Sequence, residues 1–312
     1  MTTTTDQSNA LASPQQVSVD LIAIVVAVAE QKPCVLTIGA ANALPSGPFE
    51  LGHRSLQSGL RAWVERQTAH RLGYIEQLYT FADRDRIGVA DQQRAISISY
   101  LALTRRDFAS STTAWRSWYD FFPWEDYRAG TPPVVTSQIW PRLSAWAAES
   151  GDPETRRDRK RRAEIAFGIE GHAWNEELCL QRYELLYEAG LVAESGHIGT
   201  ALPGATLIGD HRRILATAVG RLRSKIKYRP VVFELMPPVF TLLQLQRAVE
   251  ALAGRSVHKQ NFRRLIEQQE LVEESGTSTS NTGGRPAKLF QFRRAVLDER
   301  AAPGTKLPHA RS

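Results

Sequence analysis

The chain of 312 residues is 42% hydrophobic and 8% aromatic, an ordinary globular composition with room for two domains. Its net charge of +6 is unevenly spread: residues 212–294 hold 16 Lys/Arg against 6 Asp/Glu, while the remainder holds 23 against 27. That asymmetry is expected of a nucleic-acid module attached to a neutral or acidic one. The longest apolar run, Leu21 to Ala29, is too short to cross a bilayer, and the N-terminus has no basic stretch before an apolar core. The two cysteines, Cys34 and Cys179, lack partners at metal-ligand spacing, so a soluble protein of a reducing, cytoplasmic compartment is expected, with no metal and no membrane.

Residues 1–16 are polar and expected to be disordered. Val17 to Val28 reads as a buried strand and Cys34 to Ile38 as its hairpin partner after Gln31, Lys32 and Pro33. A loop then leads into a helix with Leu56, Leu60, Trp63, Val64 and Gln67 on a helical period, and a strand follows at Ile75 to Phe81. Over this stretch the chain resembles a Nudix box, which runs Gly, five residues, Glu, seven residues, then Arg-Glu-apolar-x-Glu-Glu-x-Gly-apolar. Gly52, Arg66, Gly73 and Tyr74 fit the skeleton. Ser58, Gln67, His70 and Arg71 stand at the four Glu positions. The resemblance implies a Nudix-like sensor domain over residues 17–129. Nudix hydrolysis relies on carboxylates holding hard divalent cations over a pyrophosphate, and no carboxylate is left at these positions. The expectation is therefore no catalytic residue and no enzyme activity, with Arg66, Gln67, His70 and Arg71 binding the phosphates of an effector directly.

Ala95 to Thr104 alternates like a central strand. The following aromatic segment, with Trp115, Trp118, Phe121, Phe122 and Trp124, could stack on an adenine but more simply closes a core. Residues 130–209 look like a helical insertion, with helices near Ser137 to Glu149, Pro153 to Gly168 and Asn175 to Ala189. The basic run at 156–162 reads as a solvated face, because Asp152, Glu154, Asp158 and Glu164 dilute its field. Asp210 then opens a linker helix over 210–229 whose stripe of Ile214, Ala218, Leu222 and Ile226 faces inward while arginines flank it. One continuous helix is expected to join sensor to reader.

Residues 230–294 carry the second organised unit. Thr241 begins a capping box with Gln244; Leu242, Leu245, Val249 and Leu252 form a buried stripe, and Gly254 ends the helix. After a short turn, Ser256 is read as the cap of a second helix with Phe262, Leu265 and Ile266 inward and Gln260, Asn261, Arg263 and Arg264 outward. Arg can fork onto guanine, and Asn or Gln onto adenine. Leu271 to Glu274 and Lys288 to Phe292 then pair around a Gly-rich loop, giving a wing with Arg285, Pro286 and Lys288 near the phosphates. The candidate DNA-binding residues are Ser256, His258, Lys259, Gln260, Asn261, Arg263, Arg264, Arg285 and Lys288. Residues 295–312 read as a disordered tail.

The segments RLRSKIKYRPVVFELMPPVFTL, RSVHKQNFRRLIE and GGRPAKLFQF resemble the Nudix-related transcriptional regulators of NAD metabolism. The insertion is similar to the larger variant found with the de novo NAD synthesis operon in alphaproteobacteria. The resemblance implies an α+β protein: a Nudix-like α/β/α sandwich with a helical insertion, followed by a C-terminal winged helix-turn-helix. It implies a homodimeric repressor, without a cofactor, that binds a palindromic operator in double-stranded DNA and responds to ADP-ribose, NAD or ATP. The alternative is a Nudix hydrolase using acidic residues outside the box, such as Glu76, Asp83 or Asp85.

Overall fold

A computed structural model describes residues 17–39, 43–83, 94–105, 114–197, 199–228, 231–279 and 286–293. Its centre is a mixed sheet of β1 (Ser18–Ala29), β2 (Lys32–Thr37), β3 (Ser46–Pro48), β4 (Ile75–Phe81), β5 (Ala95–Leu103) and β6 (Ala114–Ser117). The strand order is β4-β5-β1-β2-β6, with β3 paired to β1. β1 and β5 run parallel from Ser18 opposite Ala95 to Val26 opposite Leu103, and the hairpin of β1 and β2 turns through Glu30 and Gln31 in left-handed conformation.

Because neighbouring side chains of a strand point to opposite faces, β1 serves two cores at once. Leu21, Ala23 and Val25 pack with Leu60 and Val64 of α1 (Leu56–Thr68). Ile22, Ile24 and Val26 pack under a larger helical layer on the other side. That layer holds α2 (Trp118–Phe121), a π-helical turn at Val135–Ile139 running into α3 (Trp140–Ala148), α4 (Pro153–Phe167), α5 (Cys179–Glu188) and α6 (His211–Tyr228). The result is an α/β/α sandwich in which residues 130–209 contribute directly to the main core, with Ile139, Leu143, Phe167 and Leu186 fully buried. Trp118, Phe121, Phe122 and Trp124 are also completely buried, so the aromatic segment closes the core.

α6 keeps the bounds and the buried stripe expected of the linker helix, and two of its arginines are buried as well. Its stripe of Ile214, Ala218 and Leu222 is buried, and so are Arg212 and Arg223, two of the arginines that flank it. Inside, Arg212 donates to the Phe121 carbonyl and pairs with Glu194, while its Nε has no partner, and Arg223 pairs with Glu125. As expected, one helix, α6, leads from the first unit toward the second. α6 stops at Tyr228, and a 3-10 segment, Val231–Leu235, precedes α7 (Leu242–Ala253). α8 (Lys259–Gln268) and the hairpin of β7 (Val272–Thr279) with β8 (Ala287–Phe292) complete the C-terminal unit. Its own core gathers Val232, Met236, Phe240, Leu245, Phe262 and Ile266.

Candidate nucleic-acid interface and sensor site

The C-terminal unit begins with a well-capped helix. The Thr241 hydroxyl accepts from Gln244 N and the Gln244 side chain accepts from Thr241 N, while Gly254 closes α7 at φ 72°. A side chain there would lie 2.5 Å from the Glu125 carbonyl oxygen, so the turn after α7 needs glycine for its conformation and for space. α8 follows with His258 at its N-cap, making no side-chain cap bond. Ser256 is therefore not the cap. Its hydroxyl donates to the Arg128 carbonyl at 2.9 Å, across the boundary between the two units.

On α8, Phe262 and Ile266 face the core, whereas Lys259, Gln260, Asn261, Arg263 and Arg264 are all exposed. Leu265 was expected inside and is 48% exposed. The 100° step per residue rotates it to the rim of a stripe that only Phe262 and Ile266 occupy. In the wing, Phe290 pairs with Phe240 through two backbone hydrogen bonds, and the Phe292 ring lies 4.7 Å from that of Phe240, so β8 is anchored from within. Lys288 is exposed but paired with Glu274 across the hairpin at 2.7 Å, so its charge is partly compensated before any phosphate arrives. Arg285 lies outside the described residues, and Pro286 precedes β8, exposed.

The positions matching the Nudix box hold local structure. Ser58 completes a capping box at the start of α1: the Ser55 hydroxyl accepts from Ser58 N, and Ser58 Oγ accepts from Ser55 N at 2.8 Å. Gln67 is pinned to β3, its Oε1 accepting from Ser46 N at 3.1 Å and its Nε2 donating to Ser46 O at 2.8 Å. Arg66 is exposed in the last turn with its guanidinium 4.2 Å above the Trp63 ring. The helix then ends at Thr68, and Ala69 takes a left-handed cap at φ 57°. His70 and Arg71 consequently lie beyond it. His70 packs 5.6 Å from the Trp115 ring, with its Nε2 and the Trp115 indole nitrogen both buried without a partner. Arg71 points outward, 87% exposed, to Glu65 at 2.9 Å. Arg61, which sequence reasoning passed over, ties the next loop by donating to the carbonyls of Leu72 and Gly73.

A Nudix box implies a divalent cation, and these residues do not fit one. An amide already bonded at both ends, a hydroxyl used as a cap and an outward guanidinium offer no anionic oxygens in a common direction. Glu76 accepts from Tyr74 and from Lys225, and Asp83 pairs with Arg213 at 3.0 Å; Asp85 lies outside the described residues. Among the described residues no group of three His, Cys, Asp or Glu side chains is placed to hold a metal ion, and no helix is long and apolar enough to cross a membrane.

Residues 232–292 match the model of the NrtR DNA-binding winged helix domain. Over 83 residues the chain is 40% identical to the ADPR responsive transcriptional repressor NtrR of Acinetobacter baylyi, a match covering 27% of this chain and 33% of that relative. The chain thus spans about a third of the length of the curated relative it matches. In fold it is similar to Shewanella oneidensis NrtR complexed with a 27mer DNA, with a TM-score of 0.54 and 18% identity over 90% of this chain and 95% of that one. It is also similar to a MutT/nudix family protein from Enterococcus faecalis, with a TM-score of 0.51 and 16% identity over 91% and 89% of the two chains. The protein accordingly joins a Nudix-like α/β/α domain to a C-terminal winged helix of the NrtR DNA-binding type.

Proposed function

We propose that the protein is a DNA-binding transcriptional regulator, a repressor of NAD biosynthesis genes whose Nudix-like domain is a catalytically silent sensor. The observation that carries this reading is the outer face of α8. Lys259, Gln260, Asn261, Arg263 and Arg264 stand exposed opposite Phe262 and Ile266, in a domain that matches a DNA-binding winged helix. This mixture of fork-shaped and amide side chains suits base edges in a major groove better than a Lys/Glu surface would. One winged helix covers one half-site, so a two-fold homodimer on a palindromic operator is the expected assembly.

The relative's name supports ADP-ribose as effector ahead of NAD and ATP. Arg66, with Trp63 beneath it, and the His70–Trp115 pair offer cation, donor and ring surfaces suited to a phosphorylated adenine nucleotide bound without metal. Silence in catalysis is supported by the engagement of Ser58 and Gln67 in local structure and of Glu76 with Lys225. The deciding experiment is a gel shift of the full chain on the region upstream of its own operon, with and without ADP-ribose, NAD and ATP, in EDTA. A retarded band whose intensity responds to one of the three is expected. Failure to bind that duplex in preference to a scrambled one would refute the regulator reading, and metal-dependent release of AMP from ADP-ribose would refute the silence.

A further inference from the structure

Two arginines from distant parts of the chain converge on one buried carboxylate, and each also holds the open end of another helix. Glu125, directly after the aromatic core, is fully buried and accepts from Arg182 Nε at 2.5 Å and Nη2 at 2.8 Å, and from Arg223. Arg182 is on α5, and its remaining nitrogen donates to the carbonyls of Ala166 at 2.8 Å and Asn175 at 2.9 Å, satisfying the open end of α4. Arg223 is on α6. It donates to Leu252 O at 3.0 Å, Glu125 O at 3.0 Å and Glu176 O at 3.1 Å, and so captures the open end of α7.

The other carbonyls around that end of α7 are held from the same segment. Tyr119 Oη donates to Ala251 O at 2.6 Å and Tyr127 N to Gly254 O at 2.7 Å. Ser256 answers by donating to Arg128 O, while Arg128 Nη1 reaches the β1–β2 turn at Gln31 O, 2.8 Å away. The Leu252 side chain belongs to the main core of the sensor, not to the core of the winged helix. The first reader helix is therefore attached at a second point besides the link from α6, and that point is polar, directional and built on residues 119–128.

We propose that residues Tyr119 to Arg128, with Glu125 as their node, are the latch through which the sensor domain sets the position of the helix-turn-helix, and that residues 130–209 serve to brace this latch through Arg182. The proposal rests on the regulator reading above. In such a network the bonds support one another, and parting Glu125 from the arginines would leave two guanidinium groups buried without a counter-charge, so on this proposal it is held or released as a unit. A shift of β1, β2 or α2 on effector binding reaches the reader by this route.

The test uses the full chain as wild type, as Tyr119→Phe/Ser256→Ala, which removes two latch hydroxyls and no core volume, and as Tyr79→Phe, which removes an exposed hydroxyl on β4. Amide hydrogen exchange of peptides covering 241–256 should accelerate about tenfold or more in the double variant, with β1 and β5 unchanged and Tyr79→Phe like wild type. Duplex binding with and without ADP-ribose should respond to the ligand in wild type by a factor of roughly 5–150, and in the double variant that ratio should collapse toward one. Unchanged exchange at 241–256 overturns the latch, as does accelerated exchange with the ligand response intact. If wild type fails to bind DNA, or binds it without response to ADP-ribose, the regulator reading or its effector fails instead, and the latch is then judged by exchange alone.

Discussion

Gln67, at a position that resembles one of the Nudix-box glutamates, has structural work of its own. A glutamate there could accept from Ser46 N but not donate to Ser46 O, whereas the amide does both and staples α1 to β3. Gln67→Glu should therefore not recover hydrolysis. It should lower stability by about 1–3 kcal/mol by leaving the Ser46 carbonyl facing an acceptor, measured as a drop in urea midpoint at unchanged slope. An equal or higher midpoint would mean the staple carries no weight. At the same scale Arg66 and Arg71 diverge, one lying over Trp63 and the other paired with Glu65 in solvent. Arg66→Ala should weaken ADP-ribose binding in EDTA at least as much as Arg71→Ala does, and calorimetry on the two variants decides it. The reverse order would shift the phosphate site beyond the end of α1.

Among the elements, α8 carries both the best and the worst of the sequence reading. The period of Phe262 and Ile266 marks which face is buried, and hence which residues of α8 are exposed, because amphipathic spacing is a local property. Leu265 and Ser256 were misjudged because their fate depends on partners far away in sequence. Leu265 would be buried only if another element reached that side, and Ser256 spends its hydroxyl on Arg128 instead of on the helix that follows it. Accordingly Phe262→Ala should cost about 3–5 kcal/mol and Leu265→Ala within about 0.5 kcal/mol, as read from denaturant titration. On DNA, Arg264 and Gln260 stand nearly opposite Phe262 on the wheel and Arg263 to its side. Arg264→Ala and Gln260→Ala should thus each cost about 1–3 kcal/mol on operator and relax its preference over scrambled duplex, whereas Arg263→Ala should weaken both alike and flatten the salt dependence. If neither of the first two moves the operator-to-scrambled ratio, α8 is not the reader. The wing is a subtler case, since strand pairing was legible from β-propensity and the Gly-rich turn, but the Lys288–Glu274 pair was not, being a cross-strand contact set by register.

For the whole molecule, the least legible feature is the one that ties it together. Glu125, Arg182 and Arg223 are 57 and 98 residues apart from node to partner, so no local pattern marks them, and each has other charges beside it in sequence, Asp126, Glu184 and Arg221 among them. Burial pushes the Glu125 carboxyl up, but the two guanidinium groups outweigh it and hold the group below the usual glutamate range. A folded value lower than the unfolded one means that the carboxylate stabilises the fold fully above the ordinary glutamate pKa and loses that contribution as pH falls through the lowered value. Of the other groups near the node, Cys179, Tyr119 and Tyr127 are pushed upward, away from acid, chiefly by burial, but Asp126 is held below its usual range, its burial outweighed by its bonds to Arg128, and so shares the acid window. Glu176 is lowered too: burial pushes it up, but Lys227 and Arg255 outweigh that, so it belongs in the experiment as a control. Glu125→Gln should cost about 3–5 kcal/mol at pH 7, since two buried guanidinium groups lose their counter-charge, and the gap between wild type and variant should narrow once the pH drops below the ordinary glutamate range. Because Leu252 of α7 lies in the core of the sandwich, the wild type should unfold in one transition by fluorescence and circular dichroism, and Glu125→Gln should separate a first transition of the winged helix from a second of the sandwich. Urea titrations of wild type, Glu125→Gln and Glu176→Gln at several pH values between 7 and 3.5 measure all of this. A gap that stays constant down to the lowest pH, or a variant that still unfolds in one step, would show that the charged node does not hold the two units together.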